Sequence, residues 1–337
     1  MMIKNEAELQ SKVEVAEKSS FDFAKWWDRV GILIVLIALI VLMSVVAPNF
    51  NRIGNLLNIA RSISVNAILA AGLTFVILTG GIDLSVGSII AVSGVVSVIL
   101  AMAGTPSVLA VVLGMAAGGA CGLVNGLLTS VLMLAPFIVT LGTMTFLRGL
   151  AYTITAGEPI VSSDLSFKVL GNGYVAGFPV PVIVMAAVYG VAWFLLERTT
   201  YGRHVYAVGG NAQAARLAGV RVGRVVTSVY VIAGICAGLA GAIFAARVIS
   251  AQPTAGTGYE LDAIAAVVLG GTSLGGGRGR IIGTLIGSVI LGVLTTGLIL
   301  LDVPFFTQLL IKGLVIILAV SIDSLKTKKF SFFSKTT

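Results

Sequence analysis

Ten stretches of apolar residues, joined by polar connections, govern what this chain can fold into. Their approximate bounds are 31–48, 62–80, 86–104, 107–132, 135–155, 177–196, 225–247, 261–274, 281–301 and 305–323. Nine of them reach the roughly 17 residues that a helix needs to cross a bilayer. The sequence therefore predicts an all-α integral membrane protein, a polytopic bundle of about ten transmembrane helices.

Composition leaves no room for a sizeable soluble domain. Of the 337 residues, 57% are hydrophobic and 11% are charged, whereas about 25% of a soluble domain is charged. The eighth stretch has only 14 residues and runs into a glycine-rich turn at 275–280. We expect a broken or re-entrant helix there, because irregular backbone is tolerated at membrane depth only inside protein or beside water.

The Lys and Arg residues give the orientation. When ten spans are threaded with the N-terminus inside, 16 of the 22 cations fall on the inner side. Four fall outside, at Arg52, Arg61, Lys168 and Arg247. Because cytoplasmic loops are enriched in cations, we expect a multi-pass protein with both termini cytoplasmic. The net charge of +8 is then explained without nucleic acid.

The chain divides into three parts. Residues 1–30 mix acids and lysines and end at Trp26-Trp27, which predicts either a cytoplasmic amphipathic surface helix or a frayed tail. Residues 31–323 form the transmembrane domain, which contains a cationic loop at about 197–224. Residues 324–337 form a basic cytoplasmic tail.

No catalytic or metal centre is predicted. The chain has a single histidine, His204, and the two cysteines, Cys121 and Cys236, lie in separate apolar runs. No Gly-Lys dipeptide occurs, so the lysine of a phosphate-binding Walker A loop is missing. We expect no cofactor and no metal bound by this chain.

Polar side chains at membrane depth are the candidates for a transport pathway, because burying them there is costly. Asp83, in a glycine-rich stretch between spans two and three, either lines a polar passage or caps span three. Arg148 and Lys312 either form a polar ring or serve as snorkelling or structurally paired cations. Either solute binding or interhelical hydrogen bonds would explain Asn66, Asn125 and Gln308.

Two internal likenesses bear on architecture. Asn66-Ala67-Ile68 matches Asp262-Ala263-Ile264, and the Pro-Phe pairs at 136 and 304 precede Arg148-Gly149 and Lys312-Gly313. Either spans 2–5 and 7–10 form an inverted repeat, or the likeness arose by chance. Small residues also recur every four positions in spans four and seven, which predicts close helix packing. They are Gly118, Gly122, Gly126, Gly234, Gly238 and Ala242.

The loop after span six contains a predicted short helix. Asn211 is a favourable N-cap, residues 212–218 are mostly helix formers, and Gly219 is a natural stop. Two turns are too short to be stable alone in water. The helix therefore has to dock, either on anionic headgroups or on a protein partner.

Three motifs give the chain a family resemblance. Thr200–Arg203, Gly209–Asn211 and Ala214–Gly219 resemble the coupling loop of sugar-type ABC importer permeases. The run from Gly81 to Ser88 is similar to that family's signature between spans two and three. The run from Ser250 to Leu274 is similar to the ribose permeases in particular.

The resemblance implies a bacterial inner-membrane importer of the type II architecture, with ten spans per subunit. It implies a separate ATPase subunit that binds ATP and Mg, a periplasmic or lipid-anchored sugar-binding protein, and a second permease copy. D-ribose is the favoured substrate, and another pentose, hexose or autoinducer sugar, or an ion-coupled secondary transporter, is the alternative. The residues implied in ATPase coupling are Gly202, Arg203, Gly209, Gly210, Asn211, Ala214, Ala215, Arg216 and Gly219.

Overall fold

The computed structural model describes residues 23–333, so most of the predicted N-terminal arm and the last four residues lie outside the description. The first helices are α1 (Phe23–Val46), α2 (Ile53–Leu78), α3 (Val86–Met102), α4 (Ser107–Ser130), α5 (Pro136–Thr155) and α6 (Val169–Asn172). The later ones are α7 (Val180–Arg198), α8 (Thr200–Gly210), α9 (Ala212–Leu217), α10 (Val222–Val248), α11 (Tyr259–Leu269), α12 (Ile281–Leu300) and α13 (Phe305–Phe333).

The mostly helical prediction is confirmed, with small additions. Six of the described helices are long and apolar enough to cross a membrane, namely α2, α4, α5, α7, α10 and α12. Shorter apolar helical stretches occur at 31–46, 86–102 and 305–318. Four two-residue strands form two antiparallel pairs, β1 (Ile160–Val161) with β4 (Ser250–Ala251) and β2 (Tyr174–Val175) with β3 (Phe178–Pro179).

The bundle has two distinct ends. At one end, which we call the coupling face, α8 and α9 lie beside the C-terminal end of α2 and the 270–280 loop. The Gly277 amide donates to the Leu78 carbonyl oxygen at 2.9 Å. At the other end, which we call the strand face, β1 and β4 follow α5 and α10, and the β2–β3 pair directly precedes α7. This division positions every candidate residue.

The eighth apolar segment contains a helix that is too short to cross a bilayer. The chain leaves β4 at the strand face and reaches the coupling face at the 270–280 loop, and only α11 within this path is helical. Its 11 residues extend about 16 Å, half the thickness of a bilayer core. Residues 252–258 complete the path as a series of turns. The eighth stretch is therefore only partly helical, and its passage through the membrane stays a prediction.

Helices α4 and α10 meet through the predicted small residues. A Cβ atom at Gly118 would overlap the Gly234 carbonyl oxygen, and one at Gly122 would overlap the carbonyl oxygen of Tyr230. The two stripes therefore form the two sides of a single interface, which sequence spacing alone did not establish. Because lipid tails are as apolar as the helices, such close backbone contact supplies much of the packing energy.

Helix α2 differs from its prediction at the N-terminal end. It starts at Ile53 rather than at 62, so Asn66 lies within the helix instead of opening it. The extra turns carry Arg61, whose guanidinium lies 4.9 Å from the ring centre of Tyr174 at the strand face. That contact gives a cation a place at the membrane boundary and allows the helix to continue past it.

We predict that Gly122→Ala destabilises the bundle. The added methyl group meets the Tyr230 backbone, which cannot move without shifting α10, and overpacking of this kind costs about 1–3 kcal/mol. Gly190 in α7 is the matched control, because nothing lies within 4 Å of a Cβ placed there. Thermal unfolding in detergent should show a lower midpoint for Gly122→Ala and an equal or higher midpoint for Gly190→Ala. Equal midpoints in both variants would contradict the packing argument.

Candidate functional site

Arg148 holds the 252–258 segment in place. This α5 residue donates from Nη1 to the carbonyl oxygens of Pro253 at 2.6 Å and Ala255 at 2.8 Å. Both carbonyls belong to non-helical backbone, where no helical partner is available. Of the roles predicted for Arg148, the structure therefore supports structural pairing over a free polar ring.

Lys312 binds α11, the helix that follows the 252–258 segment. Its Nζ atom lies 2.9 Å from Oδ2 of Asp262 in the first half of α11, and the two side chains are 20% and 21% exposed. The ion pair joins α13 to α11. Arg148 and Lys312 thus share one task, although they lie on different helices that the sequence relates only through a Pro-Phe likeness.

The 252–258 segment forms two backbone hydrogen bonds within itself and a third bond to a nearby carboxylate. The amides of Ala255 and Thr257 donate to the carbonyls of Gln252 and Thr254, and the Gly258 amide donates to Oε1 of Glu260 at 3.2 Å. The other carboxylate oxygen, Oε2, is buried without a partner among the described residues. The side chains of Thr254 and Thr257 are exposed.

Asp83 lies in the turn before α3 and does not reach an open surface. The N-cap position of α3 is Ser85, whose side chain makes no capping bond. Asp83 is fully buried, and its Oδ1 accepts from the Ser85 amide at 2.9 Å and from the Ser85 hydroxyl at 2.6 Å. Two glycines before it allow the tight turn that directs the carboxylate inward. The bond from the Ser85 amide satisfies an N–H group at the start of α3, which agrees with a capping role, and the role in a polar passage stays a prediction.

The three predicted amides occupy different surroundings. Asn125 in α4 donates to the Ser85 hydroxyl at 2.8 Å and accepts from Thr143 of α5 at 2.7 Å, so it bridges α3, α4 and α5. Gln308 donates to the Val303 carbonyl oxygen at 2.8 Å, within its own helix start. Oδ1 of Asn66 is buried without a partner among residues 23–333. The three amides do not form one site.

The coupling face contains a helix that the sequence did not predict. Residues 200–210 form α8, and the Gly202 amide donates to the Thr199 hydroxyl at its N-cap. A Cβ at Gly202 would overlap the Leu196 carbonyl oxygen, and one at Gly209 would overlap that of Leu78. These two glycines press α8 against α7 and α2, whereas Gly210 has open space around it.

Two tyrosines fasten α8 to the bundle. The Tyr201 hydroxyl lies 2.8 Å from the Ser228 hydroxyl of α10, and Tyr206 donates to the Gly279 carbonyl oxygen at 3.0 Å. Burial raises the pKa of both phenols, so each remains a neutral hydroxyl that can donate a hydrogen bond. The glycine-rich run at 275–280 is therefore part of the coupling face and not an isolated turn.

Helix α9 has the predicted caps. The Asn211 side chain accepts from the Ala214 amide at 2.9 Å, and Gly219 follows the helix with φ +86°. Ala215 is buried against the bundle, whereas Arg216 is exposed. Leu217 is 91% exposed, and sequence reasoning missed it because its apolar side chain reads as a packing residue. The remaining coupling candidates, Arg203 and Ala214, are exposed on the same face.

Comparison with known proteins agrees with this arrangement. Residues 55–320 match the family model described as a branched-chain amino acid transport system permease component. The chain belongs to this permease family. No solved structure matches the chain.

Several curated relatives resemble the chain over nearly their full length. The ribose import permease protein RbsC of Bacillus subtilis (strain 168) is 48% identical over 92% of this chain and 97% of the relative. RbsC of Escherichia coli (strain K12) is 49% identical over 89% of this chain and 95% of the relative. The D-allose transport system permease protein AlsC of Escherichia coli (strain K12) is 40% identical over 94% of this chain and 98% of the relative.

We predict that Lys312 and Asp262 are energetically coupled. Lys312→Met leaves the carboxylate without its partner in a partly buried position, which costs about 1–3 kcal/mol. Adding Asp262→Asn removes the stranded charge, so the double variant should be more stable than the sum of the single losses. Thermal unfolding of the wild type, both single variants and the double variant in nanodiscs measures this coupling. Strictly additive losses would show that the pair contributes nothing.

Proposed function

We propose that this chain is the permease subunit of an ABC importer that carries D-ribose across a bacterial inner membrane. The observation that carries the proposal is the 45–49% identity to ribose import permeases over about nine-tenths of the chain. The D-allose and L-arabinose permeases are 40% and 39% identical. Ribose is therefore preferred over these related sugars.

We further propose ten membrane passages, with the coupling face in the cytoplasm. The described residues on that face include seven arginines, against three arginines and one lysine near the strand face, which favours this orientation. The arginines are Arg198, Arg203, Arg216, Arg221, Arg224, Arg278 and Arg280. Both termini would then be cytoplasmic, with a periplasmic or lipid-anchored sugar-binding protein delivering substrate at the strand face.

The energy source in this proposal is a separate ATPase subunit, which binds ATP and Mg. The exposed tip of α9 is the proposed contact, because Leu217 is an apolar side chain left open beside the cation of Arg216. Fixed backbone contacts from Gly202 and Gly209 tie α8 to the bundle. Movement of the ATPase would therefore be transmitted to α2 and α7 without loss in a flexible loop.

A second copy of the chain is proposed to complete the pathway. Helices α5 and α13, which supply Arg148 and Lys312, carry large apolar side chains with high exposure. Ile138, Phe146, Phe306 and Leu310 are 68–79% exposed. A homodimer formed across these side chains would place the two 252–258 segments around one central passage.

Uptake of labelled ribose in cells that also contain the ATPase and binding protein tests the proposed function. Uptake should stop when ATP is depleted while the proton gradient is kept intact, because the motor consumes ATP. Unlabelled ribose should compete more strongly than allose or arabinose. Uptake that follows the proton gradient and persists without ATP would instead establish a secondary transporter.

We predict that Leu217→Asp and Arg216→Ala uncouple transport from ATP hydrolysis. A charge placed on the exposed apolar contact should weaken association with the ATPase by about 2 kcal/mol, or roughly thirtyfold. Arg52→Ala, at the opposite end of the bundle, is the control for loss of an exposed cation. Sugar-stimulated ATPase activity and pull-down of the ATPase measure the effect. Unchanged activity in both coupling variants, with normal amounts in the membrane, would exclude α9 as the contact.

A further inference from the structure

The position of the 252–258 segment within the bundle is unusual for non-helical backbone. A Cβ at Gly87 would meet the Gly256 carbonyl oxygen, so the segment touches the start of α3. Gly87 lies fifteen residues before the end of α3 at the strand face, or about 22 Å along the helix axis. The segment therefore reaches the middle of the bundle.

Two polar side chains on this segment face open space. Thr254 and Thr257 are both exposed, whereas Pro253, Ala255 and Gly256 between and beside them are buried. The Thr257 hydroxyl donates to the Thr254 carbonyl oxygen at 2.7 Å. Non-helical backbone at membrane depth occurs where it is enclosed by protein or borders water, and not against lipid. The open side next to these two threonines is therefore expected to hold water.

We propose that residues 252–258 form the constriction of the sugar pathway, and that the hydroxyls of Thr254 and Thr257 contact the hydroxyl groups of the passing sugar. This inference rests on the proposed transport function and adds the location and chemistry of the contact. The Thr254 hydroxyl can donate and accept a hydrogen bond, as a sugar hydroxyl does, and the Thr257 hydroxyl, which donates to the Thr254 carbonyl oxygen, can still accept one. Two such contacts bind weakly enough for release, which conduction requires.

Arg148 is the positioning residue of this constriction. Its two hydrogen bonds end on the carbonyls of Pro253 and Ala255, on either side of Thr254. The guanidinium therefore fixes the backbone that presents the threonine hydroxyl, through two hydrogen bonds from Nη1. This accounts for a cation at membrane depth without a direct role in sugar binding.

Cysteine labelling tests the constriction. In a parent carrying Cys121→Ala and Cys236→Ala, Thr254→Cys and Thr257→Cys are treated with the charged, membrane-impermeant reagent methanethiosulfonate ethylsulfonate. We expect both to be labelled, ribose uptake to fall by about tenfold or more, and labelling to slow during ribose transport. Val161→Cys in β1 is the accessible control, labelled without loss of uptake. Ile37→Cys in α1 is the lipid-facing control, which should not react.

Matched side chains then separate a sugar contact from simple accessibility. Thr254→Val keeps the shape and removes the hydroxyl, so the KM for uptake should rise about three- to tenfold for the loss of one hydrogen bond. Thr254→Ser keeps the hydroxyl, so its KM for uptake should stay close to that of the threonine protein. Absence of labelling at both positions, or labelling that neither reduces uptake nor is slowed by ribose, would overturn the constriction. Lack of ATP-dependent uptake in the cysteine-free parent would instead count against the transport function itself.

Discussion

Inside a bilayer no water is available to a backbone amide or carbonyl. Each segment of this protein that leaves the helical conformation therefore needs hydrogen-bond partners from the protein itself. Two such departures occur deep in the described bundle, at 79–85 and at 252–258. The second departure touches the first turn of α3, which directly follows the first departure, since a Cβ at Gly87 would meet the Gly256 carbonyl oxygen and the Glu260 carboxylate. Each is supported by buried polar groups from neighbouring helices, because an unsatisfied backbone group there costs several kcal/mol.

Helices α5 and α10 support the first departure, and α5 also supports the second. The Ile82 carbonyl lies within 3.3–3.4 Å of the hydroxyls of Thr140 and Tyr230, while Arg148 binds the second departure. Helix α5 therefore contributes to both, through Thr140 and Arg148. A shift of α5 would disturb the two irregular segments together, which couples the start of α3 to the 252–258 segment.

Much of the helical layout could be predicted from sequence, because apolar length and small-residue spacing are local properties. The short eighth stretch signalled a break in the helix, and the caps of α9 followed from Asn211 and Gly219. Helix α8 was not predicted, since its glycines read as breakers and only their contacts with Leu78 and Leu196 explain them. The partners of Arg148, 105 and 107 residues away, depend on tertiary folding and leave no local signal.

Most of the polar residues singled out at membrane depth have protein partners, and their predicted roles in a pathway stay predictions. A charge or amide is noticed in an apolar sequence because burial is costly, and that cost is also why most such groups acquire protein partners. Arg148, Lys312, Asp83 and Asn125 each have a described hydrogen-bond partner. The proposed constriction instead uses threonine hydroxyls, which carry no charge to neutralise and so cost little to leave without a protein acceptor or donor. On that proposal the charged and amide side chains build the framework, and the Thr254 hydroxyl, exposed on non-helical backbone, is available to a solute.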